Sequence, residues 1–479
     1  MPRGNEASKT ALITPKRRKY YVFLLSRVAI IRGEGHNTLN LTEPEFTSYE
    51  ILNYGLFLFE RGYINGERRG SMSSSISEEL MEMENEYGAH NYHPLEVVIS
   101  KAEGIWAEDP EGRRYMDMLS AYSAVNQGHR HPKIIKVLKD QADVLTLTSR
   151  AFYNDRWPLF ARKLAAFTGK EMVLPMNTGA EAVETALKTI RKWGFTVRGT
   201  PKDRGEIIVF DGNFHGRTIT IISFSTDPDA TEGYGPFTPG FRVVLYDDLE
   251  AVERAVNENT IGILVEPIQG EAGVVVPRDG FLKGLESIAR RNGILLAVDE
   301  IQTGFCRTGK DFAFQHEGID PDIIIMGKAL GGGVFPVSAV AANRDILGVF
   351  KPGTHGSTFG GNPLACAVAT AAIDVLVEEN LTERAAELGE YFMKGLRAIN
   401  SPGIKLVRGK GLLIGVVLNE SAGKARLYTT ALKEKGLLCK ETHDWIIRFA
   451  PPLVITRQEI DQAIEAISEV FSQTPVSCV

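Results

Sequence analysis

The chain has 479 residues, of which 43% are hydrophobic and 24% charged, and its formal net charge is −6. That length exceeds one average domain, and the composition is globular, which excludes fibrous and wholly disordered classes. A mildly acidic balance offers no electrostatic attraction to nucleic acid or an anionic membrane, so neither is expected as a partner.

The N-terminal stretch reads as a leader. A basic run, Lys16-Arg17-Arg18-Lys19, precedes the apolar segment Tyr20 to Ile31. Ser26 and Arg27 interrupt that segment, and no small-residue cleavage site comes after it, so it is a poor signal peptide. No stretch reaches the apolar length needed to span a bilayer. Residues 1–71 are expected to lie outside the enzyme proper, with an organelle-targeting role as the alternative, and Met72 is the expected start. The remainder divides into an N-terminal segment (72–125), a large domain (126–360) and a smaller C-terminal domain (361–479). Cys306, Cys366, Cys439 and Cys478 are widely separated and form no C-x-x-C pair. This argues against a disulfide framework or a zinc site and fits reduced thiols in a cytoplasmic compartment, with no metal expected.

From Val97 onward apolar runs alternate with helical patterns, the signature of α/β architecture. Short buried strands are predicted at Glu206–Phe210, Ile261–Val265, Ile294–Val298 and Ile323–Met326. Their near-continuous hydrophobicity suits parallel strands covered on both faces. A helix is predicted over Glu181 to Trp193, with Ala182, Val183, Ala186, Leu187 and Ile190 on one face. After Gly361 the pattern changes to helices at 363–379 and 381–399, strands near 411–418 and 445–449, and a closing helix over 457–471, a smaller α+β unit.

The residues just past each strand carry the chemistry. Glu266 ends one, Asp299-Glu300 the next and Lys328 the third, and in open parallel sheets ligands sit beyond the carboxyl ends. Lys328, between a buried strand and the turn Gly331-Gly332-Gly333, is partly desolvated, which frees its amine as a nucleophile toward an aldehyde cofactor. Alone, a lysine at a strand end is more often structural. Asp299 lies 29 residues earlier, a distance that suits a crossover helix, and a carboxylate there can keep a pyridine nitrogen protonated. Gln302 can reach a ring hydroxyl. Asn177-Thr178-Gly179-Ala180 opens a helix whose free N–H groups favour a phosphate. Ser357 and Thr358 offer a second phosphate contact, and Phe214 an aromatic face for a flat ring. Together these residues describe a site for pyridoxal 5′-phosphate.

The segments Tyr87-Gly88-Ala89-His90-Asn91-Tyr92-His93-Pro94-Leu95, Tyr122-Ser123-Ala124-Val125-Asn126-Gln127-Gly128-His129, Leu174-Pro175-Met176-Asn177-Thr178-Gly179, Glu266-Pro267-Ile268-Gln269-Gly270-Glu271-Ala272-Gly273 and Arg448-Phe449-Ala450-Pro451-Pro452-Leu453 occur in order. On these, the chain from about Tyr87 resembles the class III aminotransferases of fold type I, and within them the ornithine-acting branch. The resemblance implies an α/β large domain with a mostly parallel central sheet and a smaller α+β domain. It implies that Lys328 bonds covalently to the cofactor and then shuttles a proton, and that Asp299 pairs with the ring nitrogen. Phe214 would stack on the ring, Gln302 contact its hydroxyl, and Gly179 and Ala180 bind the phosphate. Thr358 would reach the phosphate across a homodimer interface. Tyr92 and Arg217 would hold the α-carboxylate of L-ornithine, and Tyr122 would line the pocket. Arg448 would bind the α-carboxylate of 2-oxoglutarate, masked by Glu271 while ornithine is bound. His215 stands where some relatives carry an indole.

The implied reaction moves the δ-amino group of L-ornithine to 2-oxoglutarate. Its rivals are an acetylornithine or 4-aminobutyrate aminotransferase, a decarboxylase or aminomutase on the same fold, and a non-catalytic cofactor-binding protein. Tyr92 discriminates the first, the Arg448–Glu271 pair the second, and the presence of both Lys328 and Asp299 the third.

Overall fold

The structure, a computed structural model, describes residues 75–473. The expected leader at 1–71, the start at Met72 and the thiol of Cys478 lie outside the described residues. Among those residues no helix is long and apolar enough to cross a membrane.

The first helix, α1 (Ile76–Tyr87), starts at Ser75, whose side chain and that of Glu78 exchange bonds in a capping box. Three strands come next, β1 (Lys101–Glu103), β2 (Trp106–Glu108) and β3 (Arg114–Asp117), paired antiparallel. The large sheet is built from β4 (Met172–Met176), β5 (Glu206–Phe210), β6 (Phe241–Val244), β7 (Thr260–Val265), β8 (Leu295–Asp299), β9 (Ile323–Met326) and β10 (Ser338–Ala342). Their order is β4-β10-β9-β8-β7-β5-β6. From β9 to β6 every pairing is parallel, while β10 runs antiparallel between β9 and β4. The four strands predicted from apolar runs are β5, β7, β8 and β9, within one residue at each end.

The two faces of this sheet explain those runs. Ile208, Ile263, Leu296, Val298, Ile324 and Met326 belong to one buried cluster, and their immediate neighbours Ile207, Leu264, Leu295, Ala297, Ile323 and Ile325 belong to another. Side chains alternate across a strand, so a strand covered on both sides must be apolar throughout. α2 (Gly179–Trp193) covers the second face with Ala182, Val183, Ala186, Leu187 and Ile190; α3 (Phe281–Asn292) covers the first with Phe281, Leu282, Leu285 and Ile288.

The crossover helix expected between Asp299 and Lys328 does not form. The connection is a looped segment with one 3₁₀ turn at Ala313–His316. Phe305 and Cys306 are in the left-handed region there, at φ 55° and 72°, which no α-helix admits. The loop is held instead by Arg307, which is completely buried. One guanidinium nitrogen donates to the Leu412 carbonyl at 3.0 Å and the Pro451 carbonyl at 2.6 Å, and another to the Asn126 side-chain oxygen at 2.6 Å.

The C-terminal part begins with α4 (Pro363–Glu378) and α5 (Leu381–Ala398). An antiparallel sheet comes after them, ordered β11-β12-β15-β14, from β11 (Ile404–Lys410), β12 (Leu413–Leu418), β14 (Lys440–Thr442) and β15 (Ile446–Phe449), and α6 (Arg457–Gln473) closes the described chain. The short β13 (Leu437–Leu438) leaves this unit to pair parallel with β3, so the N-terminal strands and the C-terminal unit share a sheet.

The helix α5 crosses the β11–β12 turn at glycine contact distance. A Cβ on Gly389 would lie 2.1 Å from the Gly411 carbonyl carbon and oxygen. Helix propensity alone favours alanine at such a position by about 1 kcal/mol, whereas the backbone collision costs about 1–3 kcal/mol or more. The expected outcome for Gly389→Ala is therefore a lower Tm in thermal denaturation; an unchanged or raised Tm would mean that the crossing adjusts freely.

Candidate active site

The carboxyl ends of β7, β8 and β9 lie side by side and deliver Glu266, Asp299 and Lys328 to one cavity of about 150 Å³. Gly179, Ala180, Phe214, His215 and Gln302 line it as well. The expected convergence of three strand ends holds with one correction. Glu300 points away from the cavity: its carboxyl accepts the Phe314 N–H at 2.8 Å and the Thr303 hydroxyl at 2.5 Å in the interior.

Lys328 begins a 3₁₀ turn with φ 47°, a strained setting for a non-glycine residue, and it is partly buried. Burial lowers its ammonium from the ordinary lysine value; Glu271, Asp299 and Glu266 oppose that shift and Arg448 reinforces it. Asp299 is 4% exposed. One of its oxygens accepts the Ile301 N–H at 3.0 Å, and the other lies 2.7 Å from Nδ1 of His215. Burial alone would disfavour a charged His215, but the hydrogen bond and charge of Asp299, with Glu266 beyond, outweigh it and raise the imidazole pKa. Glu266 is buried with no bonded cation, and desolvation together with Asp299 lifts its carboxyl to about 7 despite His215 and two N–H donors.

The helix start is prepared for an anion. Glu181 accepts the N–H groups of Asn177 and Thr178, both at 2.9 Å, and Thr178 caps Glu181 N–H in return. This capping box leaves the N–H groups of Gly179 and Ala180, the first two helical positions, without an intrahelical partner. Asn177 also donates to the Ser357 hydroxyl at 2.8 Å, which brings the Ser357 loop to the same helix end. Thr358 is exposed and does not line the cavity.

A partly buried charge pair lies near enough to act on Lys328. Arg448, on β15 and only 1% exposed, donates to Glu271 at 2.8 Å, to Gln302 at 3.2 Å and to the Gly270 carbonyl at 3.3 Å. Gln302 in turn donates to Glu271 at 3.1 Å, so the residue expected at a ring hydroxyl also belongs to this network. The Arg448 guanidinium stands 4.8 Å from the centre of the Tyr122 ring. Tyr122 reaches it from a run of four left-handed residues, Ser120 to Ser123 at φ 51°, 45°, 61° and 71°. Asp117 pins that run by accepting the N–H groups of Leu119 and Ser120 at 2.8 and 2.9 Å. Arg217 is exposed, 5.7 Å from the Phe214 ring centre, and Tyr92 is 71% exposed; neither makes a polar bond to the buried network among the described residues.

His215, Glu266 and Arg307 carry more of the site than the sequence suggested. His215 was legible through its neighbour Phe214, and Glu266 through its strand end. Arg307 had no signal, because its partners are backbone carbonyls distant in sequence.

A lysine amine, a buried carboxylate for a ring nitrogen, an aromatic wall and a helix start with free N–H groups, all around one cavity, fit pyridoxal 5′-phosphate in donor chemistry. The fold and site thus define a fold type I enzyme of the pyridoxal-phosphate class. The class-III aminotransferase family pattern matches residues 87–471. The chain is 60% identical over 395 residues to the ornithine aminotransferase of Brevibacillus brevis, covering 82% of this chain and 98% of that one. Its structure is similar to that of the ornithine aminotransferase from Toxoplasma gondii, with a TM-score of 0.84, 44% identity, and coverage of 90% of this chain and 99% of that one. The acetylornithine aminotransferase from Elizabethkingia anophelis gives a TM-score of 0.77 at 47% identity, covering 84% of this chain and 100% of the other. This chain belongs to the class-III aminotransferases, which depend on pyridoxal 5′-phosphate.

Burial raises the Glu300 carboxyl from 4.5 to about 7. A raised folded-state value means that its contribution to stability is complete below pH 4.5 and lost as pH rises through about 7. Glutamine mimics the protonated acid: its oxygen accepts from Phe314 and its amide donates to Thr303. In thermal melts at stepped pH, Glu300→Gln is expected to gain on the natural protein steadily between pH 4.5 and 7. A pH-independent difference would mean that Glu300 is not forced to ionise in the interior.

Proposed function

We propose that this enzyme transfers the δ-amino group of L-ornithine to 2-oxoglutarate, giving glutamate 5-semialdehyde, which cyclises to pyrroline-5-carboxylate, and glutamate. The observation that carries the reading is the Arg448–Glu271 pair, bonded to the cavity residue Gln302 and near enough to act on the Lys328 charge, together with 60% identity to an ornithine aminotransferase. A cation masked by a movable anion is useful where two substrates of different charge alternate in one site.

The cofactor, when bound, supplies an aldehyde for the amino group and an electron-withdrawing ring. Lys328 anchors it and, as a partly desolvated amine, accepts and returns the proton at the reacting carbon. Asp299 would pair with the ring nitrogen, and His215, 2.7 Å from one of its oxygens, holds the carboxylate in place. Phe214 would stack on the ring, Gln302 would meet its hydroxyl, and the N–H groups of Gly179 and Ala180 with Ser357 would hold the phosphate. Tyr92 and Arg217 would take the α-carboxylate of ornithine, leaving the far amine for Lys328. Arg448 takes the α-carboxylate of the oxo acid once Glu271 swings aside, since a guanidinium fork suits a carboxylate. We assign Thr358 to the phosphate of a neighbouring subunit in a homodimer. Its exposure next to Phe359, which is 52% exposed, supports a subunit face there.

Pyrroline-5-carboxylate trapped with o-aminobenzaldehyde tests the reading. The natural protein is expected to give a strong signal from ornithine and 2-oxoglutarate, and Lys328→Ala to lose about 10²–10⁴-fold or more. Turnover of acetylornithine or 4-aminobutyrate without ornithine would overturn the substrate assignment. Glu271→Ala frees Arg448 and is expected to raise the rate with glutamate as amino donor relative to ornithine; an unchanged donor ratio would remove the gate from the mechanism.

A further inference from the structure

Glu266 has no part in the proposed reaction, yet it stands between the two loops that do. One carboxyl oxygen accepts the N–H of Phe214 at 3.0 Å, and the other accepts the N–H of Gly270 at 3.4 Å. Phe214 is the aromatic wall of the cavity, and Gly270 immediately precedes Glu271. The Gly270 carbonyl is itself an acceptor for Arg448 at 3.3 Å. Gly270 is also packed hard against Gln302: a Cβ there would fall 1.9 Å from the Gln302 oxygen that Arg448 uses. A continuous path of bonds and contact thus runs from Phe214 through Glu266 to Gly270 and on to Arg448, Glu271 and Gln302.

We infer that Glu266 is a positioning residue that ties the cofactor-stacking loop to the Glu271 gate, holding Glu271 over Arg448 through its bond to the Gly270 N–H. This rests on the gate assigned to Glu271 and Arg448. The two bonds are unequal. At 3.0 Å the Phe214 bond has ordinary length, whereas 3.4 Å for Gly270 is long for N–H···O, so the gate side is the soft one. An ionised carboxylate can serve both donors fully, and a protonated acid accepts well at only one oxygen. The charged or titratable groups that act on or face this carboxyl are His215, Asp299 at the end of the neighbouring strand β8, Lys328 one strand further on after β9, and Tyr246, whose hydroxyl donates to the Glu266 backbone carbonyl at 3.0 Å. Burial, with the charge of Asp299, pushes this carboxyl up to about 7.

The experiment uses the cofactor-loaded enzyme and measures KM for 2-oxoglutarate and for ornithine separately. In the natural protein the oxo-acid KM is expected to rise with pH through about 7 as the gate tightens. In Glu266→Gln the amide oxygen keeps Phe214 while its NH₂ group turns on the Gly270 N–H. The oxo-acid KM then falls about threefold to tenfold, as expected for one lost hydrogen bond, and its pH dependence flattens. The ornithine KM and cofactor retention change less than about twofold, in keeping with an intact Phe214 bond. In a Glu271→Ala background Glu266→Gln has no further effect, because the gate it holds is gone. A Glu266→Gln effect that is the same with and without Glu271, or equal on both substrates, overturns the inference and leaves the gate standing. A Glu271→Ala variant that alters neither KM overturns the gate itself, and this inference with it. The pH profile of the natural protein stands as a test even where the variant folds poorly: an oxo-acid KM flat from pH 6 to about 8 overturns the proposal.

Discussion

The parallel adjacency of β7, β8 and β9 is the constraint on which the site depends. Neighbouring strands in a sheet are about 4.8 Å apart, so residues that end three consecutive strands fall within the width of one aromatic ring system and its substituents. Parallel direction puts all three ends on the same edge, and helices on both faces keep that edge dry below and open above. Glu266, Asp299 and Lys328 meet there because the sheet order brings their strands together. The antiparallel β10 does not disturb this edge, since it lies beyond β9.

Concentrating charge in a dry edge has consequences for every group in it. Desolvation works against the charged forms of Lys328, His215 and Glu266 alike, and protein groups oppose it in place of water: carboxylates for Lys328 and His215, the imidazole of His215 and two backbone N–H groups for Glu266. The result is a mixed set of partial compensations: His215 on Asp299, Arg448 on Glu271, and Glu266 on two backbone N–H groups. The pair that is also exposed on one side is Arg448 with Glu271, where the acid retains 29% side-chain accessibility and the arginine 2%. An anion at the rim over a buried cation has room to leave, whereas the Asp299–His215 pair, at 4% and 1%, does not. Accessibility thus separates the enclosed Asp299–His215 pair from the Arg448–Glu271 pair, which is open on its acid side.

Strain and close contact tie this edge to the rest of the chain. Lys328 and the four residues Ser120 to Ser123 occupy left-handed conformations that cost non-glycine residues of order 1–3 kcal/mol each. They persist because the surroundings over-determine them, through Asp117 for Tyr122 and through a buried strand for Lys328. Arg307 does the same for the loop after Asp299, using one guanidinium to satisfy carbonyls from the β11–β12 turn and the segment after β15 together with the Asn126 side chain. The strand that carries Arg448 is therefore referenced to the strand that carries Asp299 through a single buried cation.

The sequence by itself determined the four central parallel strands and the helix that presents Gly179, and it singled out Lys328, Asp299, Phe214, Glu271 and Arg448 as candidates. Each of these rests on local pattern: continuous apolar runs, helical spacing, or motif segments that survive in order. Only the tertiary structure decided how they combine. It removed the expected crossover helix after Asp299, because left-handed residues and Arg307 shape a loop there. It turned Glu300 into the interior while its neighbour Asp299 faces the site, because adjacent side chains on a strand end point to opposite sides. It added β10 as an antiparallel strand and gave β13 to the N-terminal sheet, pairings set by register between distant segments. It also placed Glu266 between Phe214 and Gly270, residues 52 positions before and four after it. Composition and periodicity report what a residue must bury, and pairwise partners across such separations are chosen only when the chain packs.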